Sequence, residues 1–201
     1  MTRKIEFWYE FASTYSYPAA MRVDRVATAR GVKVLWRPFL LGVIFRDMGW
    51  TTSPFNEHPA KGAYMWRDME RICALQGLGL VRPDPFPQNS LRAARVAMAL
   101  PDDAVRGVFS RAIYGGQFAE GADISDPRFV ADVLAQIGQD PQDVLDAAMT
   151  EANKTALREQ TVHAQSLGIF GAPTWRTPDG ELFWGNDRLE DALNWIDATQ
   201  G

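Results

Sequence analysis

Phe7-Trp-Tyr-Glu-Phe-Ala-Ser-Thr-Tyr-Ser-Tyr-Pro-Ala-Ala20 begins as a short apolar run with strand character, turns at Ser13 and continues as an amphipathic helical pattern. Working outward, Ile5, Phe7 and Tyr9 alternate with Glu6 and Glu10, so residues 4–10 read as a strand. Trp8 breaks the alternation, as a strand covered on both faces would. Ser13 or Thr14 is placed to cap a helix over about residues 15–30, with Tyr17, Ala20, Val23 and Ala27 on one face and Gly31 past its end. Val32-Lys-Val-Leu-Trp-Arg-Pro38 is a second strand stopped by its proline. Strand, helix and strand make a βαβ unit with parallel strands and a right-handed crossover. A strand that feeds a serine at a helix start presents a hydroxyl and free N–H groups at one point, suited to a thiolate or another anion. The same serine could equally do no more than cap the helix.

Beyond this unit the character changes. Residues 39–63 read as a long connection carrying Gly42, Gly49, Pro54, Pro59 and Gly62, and connections of this length are usually functional. Helical spacing then dominates to about Ser166, with helices expected around 63–77, 89–100, 102–114, 126–137, 141–149 and 151–167. Strand signals return in Ala172-Pro-Thr-Trp-Arg-Thr177 and Glu181-Leu-Phe-Trp184, on either side of the turn Pro178-Asp-Gly180. A last helix runs through Leu189, Leu193 and Ile196. The fold class is therefore α/β: a thioredoxin-like βαβ–ββα domain (1–40 plus 167–201) interrupted by a large all-helical insertion (41–166).

Composition narrows the function. A net charge of −4 over 201 residues gives no basic footprint, so nucleic acid is not an expected partner. No apolar run reaches the ~18 residues of a membrane span, and the N-terminal run, broken by Glu6 and Glu10, is not a secretory core; the expected location is cytoplasmic. The single cysteine, Cys73, rules out an intrachain disulfide and a Cys-x-x-Cys pair. Its spacing with Met65, Met69 and Ile72 suits a buried helix residue better than a nucleophile. His58 and His163 lie in unrelated contexts, so neither a metal site nor a Ser-His-acid triad is expected.

Two later stretches bear on Ser13. In Gly168-Ile-Phe-Gly-Ala-Pro-Thr174 a proline enters a strand after Gly-Ala, which suggests a cis Ala172–Pro173 bond that aims backbone groups at an extended peptide, or simply the first residue of an edge strand. In Trp184-Gly-Asn-Asp-Arg-Leu189 an amide and an acid stand at the start of the last helix. Asp187 there either caps that helix or takes a ligand's ammonium group while the helix N–H groups take a carboxylate.

Glu10-Phe-Ala-Ser-Thr-Tyr-Ser-Tyr17, Arg37-Pro-Phe-Leu-Leu-Gly42, Pro59-Ala-Lys-Gly62, Gly168-Ile-Phe-Gly-Ala-Pro-Thr174 and Phe183-Trp-Gly-Asn-Asp-Arg-Leu189 together resemble the 2-hydroxychromene-2-carboxylate isomerases. These form part of the DsbA-like branch of the thioredoxin superfamily, beside the kappa-class glutathione transferases. The resemblance spans nearly the whole chain and implies glutathione as cofactor, a homodimer, and a small aromatic keto-acid substrate. It places Ser13 as the catalytic residue, donating to the glutathione sulfur. Ala172 and Pro173 would bind the cysteinyl backbone, Asn186 and Asp187 the γ-glutamyl end, and Lys61 the glycine carboxylate. Trp50 and Tyr15 would face the substrate. The implied reaction opens 2-hydroxychromene-2-carboxylate and isomerises a double bond to give trans-o-hydroxybenzylidenepyruvate in aromatic degradation. The family's Ser-Pro-Tyr reads Ser13-Thr14-Tyr15 here, its acid before the serine is Glu10, and its Gly-Asn loop reads Gly49-Trp50-Thr51-Thr52. The alternatives are a kappa-like transferase or peroxidase, and a non-catalytic module that binds glutathione or a peptide.

Overall fold

The computed structural model describes residues 3–50 and 52–200, without the side chain of Gln200. Strand β1 (Arg3–Tyr9) lies inside a four-stranded sheet, paired in parallel with β2 (Val32–Pro38) and antiparallel with β3 (Thr174–Arg176); β4 (Leu182–Trp184) closes the other edge, giving the order β2-β1-β3-β4. Helix α1 (Ser16–Thr28) connects β1 to β2. After β2 come eight helices, α2 (Leu41–Asp47), α3 (Pro54–Glu57), α4 (Pro59–Gln76), α5 (Leu91–Ala99), α6 (Asp103–Ala119), α7 (Pro127–Gln136), α8 (Pro141–Met149) and α9 (Glu151–Ser166). The chain then makes the β3–β4 hairpin, a 3-10 turn at Asn186–Arg188 and α10 (Leu189–Gln200). This is a thioredoxin-like βαβ–ββα frame interrupted by helices.

Trp8 explains itself in this frame. Ile5, Phe7 and Tyr9 point into the main core with residues of α1, α6 and α10, while Trp8 points through the opposite face into a second cluster with Phe39, Ile44, Ala164 and Ile169. Both faces of β1 are covered, and every residue from Phe7 to Tyr9 is buried.

Two expectations need correction. The connection at 39–63 is not one long loop, since α2, α3 and the first turn of α4 lie within it. Leu41 and Ile44 are one helical turn apart and cover the Trp8 face of the sheet; Gly42 beside them hid the pattern, and burial outweighs its poor helix propensity. The first helix begins at Ser16, with Tyr15 in the cap position and no side-chain cap from it, so Ser13 stands outside the helix rather than at its cap.

Helix α6 reaches the sheet because Gly107 has no side chain. A Cβ at Gly107 would sit 2.8 Å from Nε1 of Trp36, a buried residue of β2. Gly107→Ala would lose about 1–3 kcal/mol to overpacking and regain at most about 1 from helix propensity. A urea melt should therefore show a net destabilisation of about 1–2 kcal/mol, whereas an unchanged midpoint would mean that α6 shifts freely on the sheet.

Candidate functional site

The sheet topology brings four chain segments to one end of the sheet. Parallel β1 and β2 finish together, with Tyr9 opposite Pro38, and the antiparallel strands place the start of β3 and the finish of β4 beside them, with Thr174 opposite both Trp8 and Trp184. At that end sit the Ser13 turn, the Ala172–Pro173 loop and the Gly185–Asp187 junction.

Hydrogen bonds tie the three together. Ser13 Oγ donates to the Ala172 carbonyl at 2.9 Å and accepts a long bond from the Ser16 N–H at 3.4 Å. The Ala172–Pro173 bond is cis. The Gly185 N–H donates to the Pro173 carbonyl at 2.9 Å, and Trp175 Nε1 donates to the Gly185 carbonyl at 2.8 Å. Gly171 allows the close approach of β4, since a Cβ there would lie 2.3 Å from Nε1 of Trp184. A half-exposed hydroxyl therefore stands beside a backbone loop, one turn ahead of the start of α1, where the helix dipole favours negative charge.

The other expected residues are placed unevenly around this centre. Asp187 is exposed in the 3-10 turn Asn186–Arg188, whose own cap position is Gly185 and which leads directly into α10. Asn186 is buried; its Oδ1 accepts from Arg22 Nε at 3.2 Å, while its amide N–H groups make no hydrogen bond among the described residues. Tyr15 packs on Phe55, and its hydroxyl donates to Asp68 Oδ2 at 3.1 Å, so it joins the Ser13 turn to α4. Burial, and next the Asp68 carboxylate, push the Tyr15 hydroxyl well above the ordinary phenol range. Lys61 is exposed in the first turn of α4, one turn before Met65, whose sulfur accepts from Thr14 Oγ1 at 3.1 Å. Trp50 packs at a tilt against Phe45 of α2 and is 38 % exposed; no contact ties it to Ser13 among the described residues. Cys73 is buried in α4, and burial raises its thiol pKa to about 11, so it remains protonated near neutral pH.

A family model described as a DSBA-like thioredoxin domain matches residues 4–197. The chain belongs to that family. A 2-hydroxychromene-2-carboxylate isomerase of Sphingobium xenophagum is 27% identical over 190 residues, covering 94% of this chain and 96% of the relative. Glutathione S-transferase kappa 1 of Rattus norvegicus is 26% identical over 201 residues, covering 94% and 88%. Among solved structures, that of a 2-hydroxychromene-2-carboxylate isomerase superposes with a TM-score of 0.87 at 24% identity, over 98% of this chain and 97% of that one.

Two residues of this DSBA-like domain shape the site: Glu10, noted in the sequence as the acid before the serine but given no role, and Arg22, which was not singled out. Glu10 is buried under the Ser13 turn, where its carboxylate takes the N–H groups of Ala12 at 3.2 Å and Leu41 at 2.9 Å while its backbone carbonyl takes the Ser13 N–H and the Tyr114 hydroxyl. An acid inside the aromatic run Trp8-Tyr-Glu-Phe11 was the signal for such a role. Arg22 of α1 grips the opposite wall through the Asn186 carboxamide, the Asn186 carbonyl and Glu190. Nothing in its helical spacing marks it.

Burial raises the Glu10 carboxyl above its ordinary value of 4.5, with the Ser90 hydroxyl and the Leu41, Ala12 and Phe11 N–H groups opposing the shift. A folded-state value above the unfolded one means that the stability Glu10 carries is full below pH 4.5 and is lost as pH rises through the folded value. The stability gap between wild type and Glu10→Gln should therefore narrow in urea melts as pH is raised from about 4.5. A gap that widens with pH would show that the fold prefers the charged form.

Proposed function

We propose that this chain is a glutathione-dependent isomerase of the 2-hydroxychromene-2-carboxylate type. The observation that carries the reading is the Ser13 hydroxyl, held 2.9 Å from the Ala172 carbonyl at the end of the sheet, in a chain whose single cysteine is buried and protonated. A site of this shape without its own thiolate is suited to one supplied by a ligand. The Sphingobium relative, similar over nearly its full length, supports the isomerase class.

Glutathione, when bound, supplies a thiolate that adds to a conjugated C=C and later leaves, so that the bond is briefly single and free to rotate. The residues present fit it. Ser13 would turn its hydroxyl from the Ala172 carbonyl to the sulfur and, with the first N–H groups of α1, hold the thiol in its ionised form. Ala172 would pair with the extended cysteinyl backbone beside the cis proline. Asp187, exposed and in no ion pair among the described residues, would take the γ-glutamyl ammonium, and the Asn186 amide would donate to its carboxylate. Lys61 would meet the glycine carboxylate as a point charge. Tyr15 and Trp50 would border the aromatic keto acid, and the expected assembly is a homodimer.

The test is calorimetric titration with glutathione, followed by the rate of 2-hydroxychromene-2-carboxylate conversion with and without it. Binding together with glutathione-dependent turnover supports the proposal; failure to bind glutathione refutes it. The rat kappa-class relative favours one rival, in which the same thiolate meets another electrophile. Binding without isomerisation, but with conjugation of 1-chloro-2,4-dinitrobenzene or reduction of a hydroperoxide, would select it.

A further inference from the structure

Away from Ser13, helix α5 packs on α8 beside the Ser125 turn and leaves a cavity of about 200 Å³ that shares no lining residue with the site described above. One wall is apolar, formed by Val96 of α5 with Leu145 and Met149 of α8. The other carries Arg92 and Arg95, one helical turn apart and therefore side by side on α5. Two like charges at this spacing repel, and among the described residues neither is in an ion pair.

Their donors are also unequally used. Arg92 gives its Nε to the Ser125 carbonyl at 3.2 Å. Arg95 reaches only the weakly accepting Met149 sulfur, at 3.9 Å, and its Nε is buried with no acceptor. A buried guanidinium N–H without a partner is costly, so an acceptor is the missing element. The walls are already fixed: Asn153 of α9 donates one amide group to both the Arg95 and the Ala148 carbonyls, at 2.9 and 3.1 Å, and so clamps α5 to α8. The chain as a whole carries −4, so general attraction does not bring anions here; the two arginines act locally.

We propose that this cavity is a second ligand site, for a small carboxylate with an apolar body. The paired guanidinium groups match the two oxygens of a carboxylate, and the Val96–Leu145–Met149 wall favours an apolar remainder over a bare hydrated anion. Benzoate is a suitable probe, because its ring and carboxylate together are of a size for so small a cavity.

The experiment titrates protein carrying ¹³C-methyl methionine with sodium benzoate at fixed ionic strength. The expected result is a saturable shift of the Met149 methyl signal, unchanged in Ser13→Ala and weakened about tenfold or more in Arg95→Gln. Ala148→Leu, which narrows the cavity while keeping both arginines, should weaken it as well. Thermal melts would confirm that each variant is folded. An unmoved Met149 signal, or equal affinity in folded Arg95→Gln, overturns the site. Sodium sulfate binding as tightly as benzoate, or benzyl alcohol binding equally well, overturns the proposed ligand class.

Discussion

Ser13→Ala is expected to lower kcat/KM for glutathione-dependent isomerisation by about two to three orders of magnitude, the usual cost of removing one donor aimed at developing negative charge. The sign of the accompanying pH effect follows from the same contact. A hydroxyl that donates to a thiolate lowers the pKa of the bound thiol, so its removal raises that pKa and shifts the acid limb of the pH–rate profile to higher pH. Glutathione affinity should fall less than the rate, because Ala172 and the Asn186–Asp187 turn are untouched. Loss of the 2.9 Å bond to Ala172 leaves a carbonyl unpaired and should cost about 1 kcal/mol of stability, or about 2–4 °C in a chain of this size. Rate and pH profile together are decisive. A rate within threefold of wild type would reduce Ser13 to a residue that steadies its turn.

Phe7→Ala is expected to be the most damaging single change to the fold. Phe7 is fully buried, stacked on Tyr9 at 5.1 Å and on Trp175 at 4.6 Å, with Trp36 edge-on at 5.0 Å. One ring thus joins β1 to both of its neighbours, β2 and β3. Truncating a buried phenylalanine costs about 3–5 kcal/mol, so calorimetry should show the melting temperature lowered by about 6–20 °C. Phe7 and Trp175 are also register partners across β1 and β3, the pairing that carries Ser13 to Ala172. Glutathione binding should therefore weaken in Phe7→Ala well below its melting temperature. A loss under 1 kcal/mol would show that other contacts hold the two strands together.

What could be read from the sequence follows the range of each signal. The βαβ unit was legible because its periods, caps and breakers are local: β2 occupies residues 32–38 as expected, and Asp126 caps α7. The β3–β4 hairpin was equally clear, with the Gly180 N–H closing its turn on the Thr177 carbonyl. Helix α2 was missed because its reason is tertiary. Leu41 and Ile44 form a helix to cover Trp8, and a short stretch beginning Leu-Gly shows that only once the sheet is present. The candidate residues from Ser13, Ala172, Pro173 and Asn186 to Asp187 came from motifs whose chemistry is local to each segment. The role of Glu10, and Arg22 altogether, were missed because their partners, Leu41 and Asn186, lie 31 and 164 residues away.

The bond from Ser13 to Ala172 spans 159 residues, and that span sets an order of events during synthesis. At about 5–20 residues per second, the ribosome delivers Ala172 about 10–30 s after Ser13. Throughout that interval β1 can pair with β2 on one side while its other side, later taken by β3, stays bare. An unpaired edge rich in aromatic residues is prone to pair with another chain. The site and the protection of the sheet thus arrive together, with the β3–β4 hairpin.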